Sequence, residues 1–189
     1  MLVSGVARAE IISGKVIGVM DGDTIEVLSQ GNSTRRIRLE GIDAPEKAQP
    51  FGARSKQHLS ETVFGKLVEV QSNKIDKYGR TVGKVLVAGK DANLEQVRAG
   101  FAWHYKEYQK EQSPFDRSAY ANAEISARNA KSGLWSDPSP MPPWEWRHGG
   151  KNQATADSRS SGCPCGGTTF CTGSRGGQYC IAPNGKKKY

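Results

Sequence analysis

Between Lys15 and Leu39 the chain passes through three short stretches of apolar alternation: Lys15–Met20, Thr24–Leu28 and Thr34–Leu39. Asp21-Gly22-Asp23 separates the first two and Gln30-Gly31-Asn32 the last two, turns tight enough to dictate an antiparallel meander. The Asn32-Ser33-Thr34 sequon is explained by that second turn without glycosylation. "FGARSKQHLSETVFG" then changes the period to that of a helix, with Ala53, Leu59 and Val63 on one side. "KLVEVQSN" and "TVGKVLVAG" return to strand character around a polar loop, "KIDKYGR". "NLEQVRAG" predicts a short helix with Asn93 as N-cap and Gly100 as C-cap. Ser113-Pro114 opens a longer one, whose small face is Ala119, Tyr120, Ala123, Ala127 and Ala130 and whose end is Gly133. Five short strands with a helix between the third and fourth predict an α+β, mainly β protein: a five-stranded Greek-key barrel of the OB type with three helices. A sandwich would need more strands.

Composition divides the chain. From Lys151 onward, six Lys/Arg against one Asp give the last 39 residues +5 of the total +8, and all four cysteines lie there. Such a charge favours polyanions, nucleic acid first and acidic membrane surfaces second. No run of about 18 apolar residues exists to span a bilayer. "MLVSGVARAE" carries Ala7-Arg8-Ala9, the small-x-small pattern that ends a secretory signal. Residues 1–12 therefore read as the remnant of a leader, 13–147 as the barrel domain, 148–162 as a flexible linker and 163–189 as a small Cys-rich basic module. In "WSDPSPMPPWEW", four prolines from Pro138 to Pro143 predict an extended arm, packed on the barrel through Trp135, Trp144 and Trp146.

The acidic turn is not an EF-hand: counted from Asp21, position six is Glu26 and position twelve Asn32. A second acidic turn, Glu40-Gly41-Ile42-Asp43-Ala44-Pro45-Glu46, follows the third strand, and a meander brings it to the same edge as the first. Asp23 and Asp43 would then face each other and repel unless a cation lies between them. Oxygen ligands alone, with no His or Cys near either turn, suit a hard cation such as Ca²⁺ or Mg²⁺ and not zinc. Arg36 and Arg38 share a face of the third strand, Ile37 and Leu39 point inward, and Arg80 closes the polar loop. Guanidinium groups hold phosphate bidentately. Paired acids, a hard cation, fixed arginines and a spare carboxylate, Glu46, are the parts of a phosphodiester hydrolase. The three histidines, His58, His104 and His148, read as packing or surface residues away from both turns.

"DGDT", "RIRLEGIDAPE" and "DKYGR", in that order, resemble the thermonuclease, or staphylococcal-nuclease-like, family, and "GFAWHYKEY", "AEISARNAKSGLW" and "PPWEW" are similar to its bacterial continuation. The likeness covers about residues 13–147. It implies the OB barrel with three helices and a Ca²⁺-dependent nuclease, Ca²⁺ ahead of Mg²⁺, that hydrolyses DNA and RNA and leaves 3′-phosphates. It implies Asp23, Asp43 and the backbone carbonyl of Ala44 as metal ligands, with Asp21 just behind them. Ala44 stands where the founding member has threonine; the carbonyl is kept. Arg38 and Arg80 match the phosphate-binding arginines, Glu46 the carboxylate drawn as general base, and Tyr78 and Tyr108 positions that contact nucleotide. The alternative is a barrel of the same kind that binds nucleic acid or protein without cutting.

The tail spacing, C-x-C-x5-C-x8-C, leaves two readings for Cys163, Cys165, Cys171 and Cys180: two disulfides, or one structural zinc site. Export to a periplasm or medium favours disulfides and a cytoplasmic location favours zinc. Arg175 and Lys186–Lys188, with Phe170, Tyr179 and Tyr189, would suit contact with a nucleic-acid backbone. No obligate protein partner is implied.

Overall fold

The structure, a computed structural model, describes residues 10–29, 31–156, 171–172, 178–181 and 187–188. The chain divides after Trp144 into two compact units.

Alternation builds the first unit. In β1 (Glu10–Val19), Ile12, Gly14 and Val16 turn inward while Ile11, Ser13, Lys15 and Ile17 face out. β2 (Thr24–Ser29) and β3 (Thr34–Leu39) complete the meander, and Ile25, Val27, Ile37 and Leu39 fill the interior as expected. A two-residue β4 (Ile42–Asp43) and α1 (Gly52–Val63) follow, then β5 (Leu67–Ile75), β6 (Thr81–Val87) and a short β7 (Lys90–Asp91). The order β3-β2-β1-β5-β6 closes through a parallel pairing of β3 with β6, in which Ile37 meets Thr81 and Arg38 meets Val82. The result is the five-stranded barrel of OB type.

Closure makes β1 serve two neighbours: its first half pairs with β5 and its second with β2, and Gly14 and Lys15 pair with both. A side chain at Gly14 would stand 2.4 Å from the Leu28 carbonyl oxygen, so glycine is needed at this corner. α1 closes one side by burying Leu59 and Val63 completely, each contributing about 1.5–3 kcal/mol. α2 (Ala92–Arg98) leads to β8 (Trp103–His104), which pairs with β4, and α3 (Pro114–Asn129) packs on α2. Ser113 caps α3 by accepting from the Asp116 amide at 3.0 Å, with Pro114 in the first turn as expected.

Several local expectations shift. β1 starts at Glu10, so residues 10–12, read as leader, are barrel strand; the adjacent apolar pair Ile11-Ile12 hid the alternation. α2 is capped by Asp91, whose side chain accepts from the Leu94 amide at 2.9 Å, and Asn93 lies inside the helix. α3 stops at Asn129, and Gly133 begins a separate 3-10 turn (Gly133–Ser136). The arm is packed in part: Trp135 is buried, and Trp144 stacks on Tyr105 at 5.5 Å and stands edge-on to Trp103. A fourth helix, α4 (Pro143–Ala156), begins in the arm and runs into the segment expected as linker. Pro143 fits its first turn, where the missing N–H costs nothing.

In the second unit the described cysteine-rich residues form a small antiparallel sheet, β9 (Cys171–Thr172), β10 (Gln178–Ile181) and β11 (Lys187–Lys188), in the order β11-β10-β9. Tyr179 pairs with Cys171 and Cys180 with Lys188. Cys163, Cys165, Phe170, Arg175, Lys186, Tyr189 and the linker beyond Ala156 lie outside the described residues. Among those described, no helix is long and apolar enough to cross a membrane.

Candidate active site

The turn between β1 and β2 can approach its neighbours because Gly22 has no side chain. A Cβ there would lie 1.9 Å from the Ser55 hydroxyl of α1 and 2.7 Å from the Ala44 methyl. That contact seats the first acidic turn on the second. The Ala44 amide donates to Asp23 Oδ2 at 2.9 Å, the Leu39 amide to the Asp23 carbonyl at 2.8 Å, and Thr24 Oγ1 to Asp23 Oδ1 at 3.0 Å. Asp43 is fixed by the β4–β8 pairing, opposite Trp103.

Arg38, at the end of β3, binds both turns. Its Nη1 lies 3.2 Å from Asp23 Oδ2 and its Nη2 3.1 Å from Asp43 Oδ1. Nη1 also donates to the carbonyls of Leu39 (3.0 Å) and Ile42 (2.9 Å). The acids are almost dry: the Asp23 side chain is 9% exposed and that of Asp43 1%. Asp21 receives the Asp23 amide at 3.1 Å. Burial, then repulsion from Asp23, pushes its carboxyl up to about 6. Asp21, Asp23 and Asp43 together carry three negative charges when ionised and Arg38 one positive charge; the excess equals the charge of one divalent cation. Every donor is an oxygen, as Ca²⁺ or Mg²⁺ prefers, so the residues present fit such an ion. Among the described residues, no three His, Cys, Asp or Glu side chains already converge as a metal cage. The guanidinium stands between the two carboxylates.

Four other expected residues sit on neighbouring supports. Glu46 follows two residues after Ala44; its amide donates to Gln49 Oε1 at 3.1 Å and its carbonyl accepts from the Gln49 amide at 2.9 Å. Arg80 stands one residue before the β3–β6 closure, level with Arg36. Its Nε donates to Asp76 Oδ2 at 2.7 Å, and the amides of Tyr78 and Arg80 both donate to Asp76 Oδ1 at 2.9 Å. Burial would raise the Asp76 carboxyl, but these bonds and the Arg80 charge outweigh it and hold the group below its ordinary value. Tyr78 is exposed, its ring 5.5 Å from the Arg80 guanidinium carbon and 5.1 Å from Lys77 Nζ. Tyr108 is also exposed, with Lys74 Nζ 5.1 Å from its ring. Asp21, Asp23, Arg38, Asp43 and Ala44 thus form one bonded group; Glu46, Arg80 and the two tyrosines are placed by separate contacts.

The family model described as "Staphylococcal nuclease homologue" matches residues 36–137, more than half of the chain. The chain belongs to that family. The matched span holds Arg38, Asp43, Ala44, Glu46, Tyr78, Arg80 and Tyr108. A micrococcal nuclease of Shigella flexneri is 41% identical over 148 residues, covering 74% of this chain and 82% of the relative. An uncharacterized endonuclease of Escherichia coli O157:H7 is 44% identical over 138 residues, 72% and 86% of the two chains. One of Haemophilus influenzae is 39% identical over 133 residues, 70% and 71%. As a staphylococcal nuclease homologue, the protein is a nuclease, a phosphodiester hydrolase acting on nucleic acid.

The sequence reading missed the side chains that hold this candidate site together. Gln49, buried, bonds the Glu46 loop and donates to the Met141 carbonyl of the arm at 2.6 Å. Asp76, first in "DKYGR", was recognisable as an Asx-turn former. Two histidines come closer to the acidic turns than expected. His104 pairs with Ile42 beside Asp43, and His58 reaches Gln96, which holds Gly22.

Proposed function

We propose that this nuclease is Ca²⁺-dependent, cleaves both DNA and RNA, and leaves 3′-phosphates. The observation that carries the reading is the Arg38 bridge between Asp23 and Asp43, which joins two acidic turns into one oxygen-rich site with negative charge to spare. Asp23, Asp43 and the Ala44 carbonyl would hold the ion, with Asp21 behind them. When bound, a divalent ion supplies Lewis-acid polarisation of a phosphoryl oxygen.

The chain's own groups do the rest. Arg38 keeps its Nε without a hydrogen-bond partner among the described residues, and that N–H is the one to offer a phosphate oxygen. Arg80, aimed by Asp76, supplies the second guanidinium, and both act most strongly when charge peaks on the phosphorus oxygens. Glu46, on a loop braced by Gln49, accepts the proton of the attacking water. Exposed Tyr78 and Tyr108, each beside a cationic side chain, offer faces to bases. Plasmid and RNA degradation with Ca²⁺, with Mg²⁺ and with chelator, followed by end-group analysis, tests the reading. Cleavage that persists in chelator, or products bearing 5′-phosphates, refutes it.

We read the tail cysteines as disulfide-bonded: Cys180 is not among the free thiols, which supports disulfides over zinc and, with them, an oxidising compartment such as a periplasm or the medium. The basic tail would then tether the enzyme to its substrate.

A further inference from the structure

Helix α2 carries two carboxamides three residues apart, Asn93 and Gln96, both with no exposed surface. They reach in different directions. Gln96 Nε2 donates to the Gly22 carbonyl at 2.8 Å and to the Ser55 carbonyl at 3.2 Å, while its Oε1 bonds His58 Nδ1. Asn93 Nδ2 donates to the carbonyls of Glu40 (3.0 Å) and Gly83 (3.1 Å), and its Oδ1 accepts from the Val85 amide at 3.1 Å. Gly22 is the middle of the first acidic turn and Glu40 the first residue of the second.

We infer that α2 sets the spacing of the two acidic turns, with Asn93 and Gln96 as positioning residues for the nuclease site. This rests on the reading of Asp23 and Asp43 as a metal-binding pair. The local geometry is well suited to the task. The peptide between Gly22 and Asp23 is gripped at both ends: Gln96 holds its carbonyl, and Asp21 Oδ1 holds its N–H at 3.1 Å. Its orientation, and with it the direction of the Asp23 side chain, is therefore fixed from within the turn at the N–H and from outside it, by Gln96, at the carbonyl. The Glu40 carbonyl is held by Asn93 and its amide by the Gly83 carbonyl at 2.9 Å, one residue before the positive-φ Gly41 where the chain bends toward Asp43. Both grips originate on one rigid turn of helix, so the carboxylates of two loops twenty residues apart in sequence share a single mount. Buried carboxamides suit this: they carry donors and acceptors, they do not titrate, and they leave the site's charge unchanged.

The test compares Gln96→Met, which keeps the size but loses the donors, with Val97→Ala, which damages packing on the same helix without removing a hydrogen bond to either turn. Amide hydrogen exchange in chelator reads the Ala44 N–H, whose bond to Asp23 joins the two turns. The expected result is Ala44 exchange about tenfold faster in Gln96→Met than in Val97→Ala, the loss of roughly one buried bond. Calcium affinity by calorimetry is expected to fall by about tenfold in the first variant only. If Gln96→Met does not fold, Asn93→Asp replaces it: the acceptor for Val85 is kept and the donors are lost, and the Tyr105 amide, bonded to the Gly41 carbonyl, is the probe. Equal exchange in the positioning and packing variants overturns the inference. Wild-type calcium affinity in Asp43→Ala would overturn the metal reading instead, while the exchange comparison, made without metal, still decides what α2 does.

Discussion

Replacing Arg38 by methionine is the sharpest perturbation of this site, because the side chain lost is the cation that bridges Asp23 and Asp43. The Arg38 side chain is only 15% exposed, and the carboxylates it faces are 9% and 1% exposed. Removing one partner of such a buried pair costs about 3–5 kcal/mol, because the carboxylates stay buried without the guanidinium. The Leu39 and Ile42 carbonyls lose their guanidinium donor as well, about 1 kcal/mol each where water does not replace it. In chelator the melting temperature is therefore expected to fall by about 10–15 °C for a domain of this size. Calcium should restore part of that fall. It stabilises any folded state it binds, by about 2.7 kcal/mol at a hundred times its Kd, and the variant site, one positive charge poorer, should bind it more tightly. Thermal unfolding of wild type and variant across a calcium series checks this, with turnover measured in parallel and expected to collapse. A fall of less than about 2 °C in chelator, or identical calcium increments in the two proteins, refutes the argument that Arg38 neutralises a buried acidic pair.

Arg80→Ala should lower kcat by about a thousandfold while circular dichroism and the melting temperature barely change; near-native turnover would remove Arg80 from the reaction. Asp43→Ala should abolish calcium binding in calorimetry together with activity. Glu40 lines a cavity of about 170 Å³ with Lys84, Glu111 and Asp116, and burial raises its carboxyl above the ordinary value despite Lys74 and Lys84. The folded state thus holds that proton more tightly than the unfolded chain does, and stability is lost as pH rises through the folded value. Glu40→Gln should raise the melting temperature at pH 7–8 and lose that advantage near pH 4, below the unfolded pKa of about 4.3. Truncation after Ala156 should raise KM and flatten its dependence on salt; unaltered values would exclude a tethering tail.

How much of this was legible in the chain follows from the range of each signal. The meander and the barrel came from alternation and turn residues, patterns complete within six to ten residues, as in Thr34–Leu39, where Ile37 and Leu39 face inward as read. The acids and arginines proposed to react were picked out by their order in the chain, since few other arrangements call for both in that order. Glu10–Ile12 and α4 were missed where local composition pointed elsewhere: an apolar pair beside a small-x-small motif, and prolines followed by a polar stretch. The positioning side chains were hidden for a different reason. Asn93 satisfied a local rule as a helix cap, and nothing nearby in sequence points to Glu40, fifty-three residues earlier. Gln96 looks like any polar residue in a short helix.

Local and global preferences conflict at these two positions. Asparagine is a poor helix former, and Asn93→Ala would gain about 0.5 kcal/mol in helix propensity. It would also strip the Glu40 and Gly83 carbonyls of a donor and leave the buried Val85 amide without its acceptor, each at about 1–3 kcal/mol. The tertiary term wins by several kcal/mol. A polar residue retained against its own propensity inside a seven-residue helix is therefore accounted for by what it holds, and here it holds the backbone that carries the acids.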